Sequence, residues 1–126
     1  MTRRIAFLVA LLVGLSAPQP RAEGLPYIEL SVTDVSQTET LTRNSRGAMV
    51  CNRSTTDQFW VRVFTGGETV YAATTAEPSA PVPVASGLQP SCISIPWDRD
   101  THSGAGWKYI TFIAAAGKTP SGGIYY

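Results

Sequence analysis

Apolar and polar residues alternate cleanly from Tyr27 onward. In "YIELSVT", Ile28, Leu30 and Val32 fall on one side and Tyr27, Glu29, Ser31 and Thr33 on the other, the period of two expected of a strand with one buried and one wet face. "AMVCN" and "QFWVRVFT" follow as strands, the second rich in aromatic and β-branched residues and closed by the turn signal Gly66-Gly67. "ETVYAATT" then reads as the return strand of a hairpin. Residues 76–90 carry Pro78, Pro81, Pro83 and Pro90; proline withholds the backbone donor that a central strand needs, so this stretch is predicted as an extended crossover. "SCISIPW" and "WKYITFIAA" supply two more strands on either side of the polar "DRDTHSGAG", and Ile124 to Tyr126 make a short final edge strand. "TETLTRNSR" reads as loop, with at most one helical turn. The pattern predicts an all-β chain: a small antiparallel β-sandwich of immunoglobulin-like or Greek-key type with six or seven strands.

Before Leu25 the pattern is of another kind. Arg3 and Arg4 precede an eleven-residue apolar run from Ile5 to Leu15, which breaks at Ser16, Ala17 and Pro18. That is the charged, apolar and small-residue order of a secretory signal, and the run is too short to cross a hydrocarbon layer of about 30 Å as a helix. Residues 1–24 are therefore expected to be a cleaved signal and short leader, cut near Ala17, Ala22 or Gly24, with residues 25–126 as one domain in the periplasm or outside a bacterial cell. From Leu25 on, seven Lys and Arg stand against eight Asp and Glu, a net charge of −1. No basic stripe collects phosphates, which argues against nucleic acid as a partner, and no second apolar run of membrane length follows.

Export changes how the two cysteines read. Cys51 ends an apolar run in "AMVCNRS" and Cys92 opens "CISI"; with His102 as the single histidine and no Cys-x-x-Cys spacing, the ligands of a structural metal site are missing. Two cysteines in an exported chain oxidise to each other more readily than they serve as a catalytic thiol, so a Cys51 to Cys92 disulfide is expected. Closing a loop of forty-two residues is worth up to about 4 kcal/mol in chain entropy. For a domain that buries only about 60% of its unfolded surface, such a staple is a large share of total stability.

The order "VCNRSTTDQFWVRV", "GLQPSC", "WKYITFIAA" resembles the bacterial domain of unknown function ten-thirty-six, small secreted proteins with a Cys-Asn-x-Thr/Ser segment, a Leu-x-Pro-Gly-x-Cys segment and a closing aromatic strand. The matching positions are Cys51, Asn52, Ser54, Leu88, Pro90, Cys92 and Tyr109, while "LQPSC" lacks the glycine after proline and the Trp-rich middle of that family is replaced. The resemblance implies a fold type and export, and no activity.

Candidate chemistry is sparse. Asp98, Asp100 and His102 are spaced by two, as at the start of a calcium loop, but Ser103 stands where that loop needs glycine and Tyr109 where it needs an acid, so a solvated turn is predicted, with no metal and no cofactor. His102 beside Ser103 is the one conceivable hydrolytic group, and no Gly-x-Ser-x-Gly elbow accompanies it. Aromatics are the stronger signal: Trp60 and Phe64 lie on the strand face opposite Phe59, and Trp97 and Trp107 flank the polar loop. One pair is expected in the core and the other at a surface, with Trp97 and Trp107 favoured as the binding pair because loops held by a scaffold carry function more often than strand centres. The binding candidates are thus Trp97, Asp98, Asp100, His102 and Trp107, then Trp60 and Phe64. Three functions follow: a non-enzymatic binding or structural module acting through a protein or envelope partner, a surface-fibre subunit whose "LPYIELSVTDV" is a donor strand, or a small hydrolase using His102.

Overall fold

The computed structural model describes residues 26–99, 101–102 and 104–126; the expected signal segment, Asp100 and Ser103 lie outside the described residues. Eight strands, with no helix among those residues, form two four-stranded antiparallel sheets. The first runs in the order β1 (Tyr27–Ser31), β8 (Ser121–Tyr125), β3 (Gly47–Asn52), β6 (Ser91–Pro96). The second runs β2 (Gln37–Ser45), β7 (Trp107–Ala114), β4 (Phe59–Thr65), β5 (Ala80–Val82). Successive strands alternate between the sheets except β4 and β5, which are neighbours.

The alternation read from the sequence sets which side chains meet between the layers. Leu30 of β1, Ala48 and Val50 of β3 and Ile124 of β8 face Leu41 of β2, Phe59 and Val61 of β4 and Ile110, Phe112 and Ala114 of β7, all buried in one cluster. Removing a ring such as that of Phe59 or Phe112 from this layer costs about 3 to 5 kcal/mol. One polar side chain is equally deep. Asn52, on the inner face of β3, donates through Nδ2 to the carbonyls of Asp57 (2.9 Å) and Val82 (3.2 Å) and accepts from the Ser54 amide through Oδ1 (2.8 Å). It laces the first sheet to β5 of the second with both amide donors and its oxygen engaged, which makes a buried amide tolerable.

Cys51 and Cys92 are bonded, as expected. They stand directly opposite each other in the β3–β6 register, on the outer face of the first sheet, with Cα atoms 4.0 Å apart. The bond therefore ties an edge strand to its one neighbour rather than one sheet to the other.

Four expectations are corrected. The strands number eight, because "TETLTRNSR" belongs to β2; a Thr-rich edge strand that buries only Leu41 and Ser45 carries no strong alternation. "ETVYAATT" forms no return strand: the Glu68 carboxylate accepts from the Thr65 amide at 2.9 Å and turns the chain off the end of β4. The place beside β4 is taken by β5, three residues inside the predicted proline-rich crossover. The closing strand is no edge: β8 lies between β1 and β3, an inner position opened by Gly122 and Gly123, over which Phe59 and Tyr27 pack closely.

Candidate functional site

The short β5 decides where the surface opens. Its register places Phe59, Trp60 and Val61 opposite Val82, Pro81 and Ala80. Pro81 has no N–H, so the Trp60 pair lacks reciprocal hydrogen bonds and the ladder runs through Phe59 and Val61. By the same alternation Val63 is the next β4 residue to turn both its N–H and its C=O toward that side, where β5 has ended. The chain leading into β5 turns over residues 76–79, where the Ser79 amide donates to the Ala76 carbonyl at 3.1 Å, so no β5 residue pairs with Val63. A cleft of about 260 Å³ lies there, lined by Val61, Val63, Ala80 and Ile95 toward the core, Pro78 at the rim, the buried Phe64, and Arg62, Glu68 and His102 toward solvent.

The polar groups of the cleft are arranged by packing. Arg62 lies over two aromatic rings, 5.1 Å from the centre of Phe64 and 5.0 Å from that of Tyr71, and has no carboxylate partner among the described residues. Phe64 is itself buried beneath this cover. At the other end, His102 sets its Nδ1 3.6 Å from the Glu68 carboxylate and meets the edge of Trp107, ring centres 4.6 Å apart. Partial burial pushes the Glu68 carboxyl up, but the Thr65 amide and hydroxyl and the neighbouring His102 outweigh it and hold the group below the usual carboxylate range. A lowered folded value means the stabilisation is present above the ordinary carboxylate value and is lost as pH falls through the lowered one. Urea midpoints of the protein and of Glu68→Gln, which keeps an acceptor for the Thr65 amide, should accordingly differ near neutrality and converge in acid; a gap that persists below pH ~3 would contradict this.

The expected aromatic pairs are split. Trp107 is 3% exposed and belongs to the core, which overturns its assignment to a binding surface. Thr65 and Phe64 of β4 pair with Trp107 and Tyr109, so β7 carries one extra residue, Lys108. That bulge reverses the alternation and turns Trp107 inward in line with Ile110, Phe112 and Ala114. Its indole N–H donates to the Ile95 carbonyl at 3.0 Å. Trp107→Ala should behave as a core truncation, with a loss of about 3 to 5 kcal/mol by denaturant titration; a loss below about 1 kcal/mol would show the ring to be peripheral. Trp97 is half-buried against the core under Arg46, and its buried indole N–H meets no acceptor among the described residues. Trp97→Phe removes that orphan donor together with part of a half-buried ring, so stability should fall by no more than about 2 kcal/mol, and a loss above about 3 would reveal an acceptor.

Of the other candidates, Trp60 is half-buried on β4, and Asp98 anchors the turn through its backbone carbonyl, which accepts from the amides of Thr101 (3.2 Å) and His102 (3.0 Å). Asp100 lies outside the described residues. No group of three His, Cys, Asp or Glu side chains among the described residues is placed to hold a metal ion. The fold thus brings Phe64, of one expected aromatic pair, and His102, of the polar loop, to one cleft. Arg62, Val63 and Glu68 were missed; the available signal was the proline density of residues 76–90, within which only a short strand pairs with β4. On the far side, the outer face of the first sheet carries a row of Tyr27, Tyr125 and Met49, each more than a third exposed, with the Arg53 guanidinium bound to Glu29 and Tyr27 beside it. Comparison of the chain with protein-family models, with curated proteins and with solved structures finds no match to any of them.

Proposed function

We propose that this chain is a small exported, non-enzymatic binding or structural module of a bacterial cell envelope, and that it works by holding a protein partner in the cleft beside β4. The observation that carries this reading is Arg62, which meets no carboxylate partner among the described residues, at the mouth of an apolar cleft beside an unfinished strand edge. None of the described lining residues is a Ser, Thr, Cys or Lys that His102 might activate, which favours binding over hydrolysis. The disulfide suits an oxidising compartment, and no helix among the described residues is long and apolar enough to cross a membrane.

A photo-crosslinker placed at Tyr71, on the cleft rim, and another at Tyr27, on the opposite sheet, test the site in intact cells of the native host. A discrete adduct from the Tyr71 position alone, lost when Arg62→Glu is added, is the expected result. Equal adducts from both positions, or one indifferent to Arg62→Glu, would refute the cleft as the site. Intact-mass measurement of the exported protein should place its first residue between Pro18 and Leu25; a mass retaining residues 1–15 would refute signal cleavage.

A further inference from the structure

We infer that the cleft takes an extended peptide segment of its partner as an added strand, antiparallel to β4 and in line with β5, and that it selects an aliphatic residue followed directly by an acidic one. This deepens, and rests on, the binding function proposed for the cleft.

Three observations fix the chemistry. Val63 offers one backbone donor and one acceptor to the gap left by β5, the pair that an incoming strand uses. No turn or loop backbone among the described residues bonds to either group. The partner residue opposite Val63 sends its side chain to the same face, onto the half-buried Val63 and Ile95 between the sheets, so it is aliphatic. The next side chain faces outward, where Arg62 stands over Phe64 and Tyr71 with its donors unused by any carboxylate among the described residues.

Direction follows from the charges at the two ends. In an antiparallel strand the residue after the aliphatic one stands opposite Arg62, and the residue before it opposite Phe64, on the side of the Glu68 carboxylate. An acid in the second position gains a partner; an acid in the first is carried toward Glu68. The order aliphatic then acidic is favoured over its reverse. β1 contains the same order at Ile28 and Glu29, but there Glu29 is held by Arg53 and Ile28 pairs with Ile124 of β8, so the segment inferred here belongs to another protein.

The probes are three fluorescein-labelled capped peptides, Gly-Ser-Ser-Ile-Glu-Ser-Gly, the same with Ser-Ile-Glu reordered to Glu-Ile-Ser, and the first with its Ile nitrogen methylated, titrated by anisotropy against the intact oxidised protein and against Arg62→Glu. The first peptide should bind about tenfold more tightly than either of the others, because reordering loses a charge-assisted bond and methylation removes the donor to the Val63 carbonyl. Arg62→Glu should remove this preference, and an Ile-Lys peptide should restore binding to that variant. Equal binding of the methylated peptide would overturn strand addition, and equal binding of the reordered one would overturn the assigned direction. If none of the peptides binds at millimolar concentration while the Tyr71 adduct in cells still depends on Arg62, the peptide proposal falls and the cleft keeps its function. Sedimentation showing self-association abolished by Arg62→Glu would overturn the choice of a foreign partner.

Discussion

Gly122→Ala should lower stability by about 4 kcal/mol or more and leave little folded protein at 37 °C. Gly122 sits in β8 between Leu30 of β1 and Asn52 of β3, facing the core. A methyl group there would stand 2.3 Å from the Cys51 carbonyl oxygen and 2.8 Å from the Phe59 ring. The first contact is with backbone held in a ladder, and the second with a ring packed at the centre of the sandwich, so neither can yield without moving a strand. Gly123→Ala is the built-in comparison. Its added methyl meets the far end of the exposed Tyr27 side chain, which can swing into solvent, and the loss should be about 1 to 2 kcal/mol. Urea titration of both variants decides the matter, and equal losses would mean that the inner glycine is not the tighter site.

Cutting the staple is the second large effect. The bond joins residues 41 apart in sequence, and loop-closure entropy sets its contribution at up to about 4 kcal/mol. Because it crosses only the β3–β6 pair, Cys51→Ser with Cys92→Ser removes no contact between the sheets, and its main effect falls on the unfolded chain and on the edge strand β6. The double variant should therefore keep its strand content by circular dichroism while its denaturation midpoint drops by the equivalent of about 2 to 4 kcal/mol. Unchanged stability on reduction, with the expected gain of about two daltons confirmed by mass, would contradict a stabilising role.

How much of this was legible in the chain depends on how each signal arises. β1, β3, β4, β6 and β7 were visible because one face is buried against the other sheet and apolar residues repeat every second position. β2 was invisible because an edge strand needs little apolar burial, and β8 was misplaced because Gly-Gly reads as a turn until neighbouring strands are known to press on it. Trp107 was placed on the surface because it flanks the polar loop; the bulge at Lys108 that turns it inward leaves no mark in a hydrophobic pattern. The disulfide followed from cysteine count and the expected export, whereas its position on one sheet face required the register. Of the cleft, the sequence offered Phe64 and His102 separately. What joins them is the end of β5 at Ala80, beside Val61 of β4, and pairing partners are not written locally.

The backbone amide of Val63 gives the most direct measurement of the open strand edge on which the binding function depends. In the free, oxidised protein its exchange with solvent should be fast, while the amides of Arg62 and Phe64, turned toward Thr111 and Tyr109 of β7, exchange slowly. Saturation with the Ile-Glu peptide should slow Val63 by about tenfold or more and leave its neighbours unchanged. A Val63 amide already as slow as Arg62 and Phe64 in the free protein would show the edge to be closed, and one left fast at saturation would show that the peptide does not join the sheet.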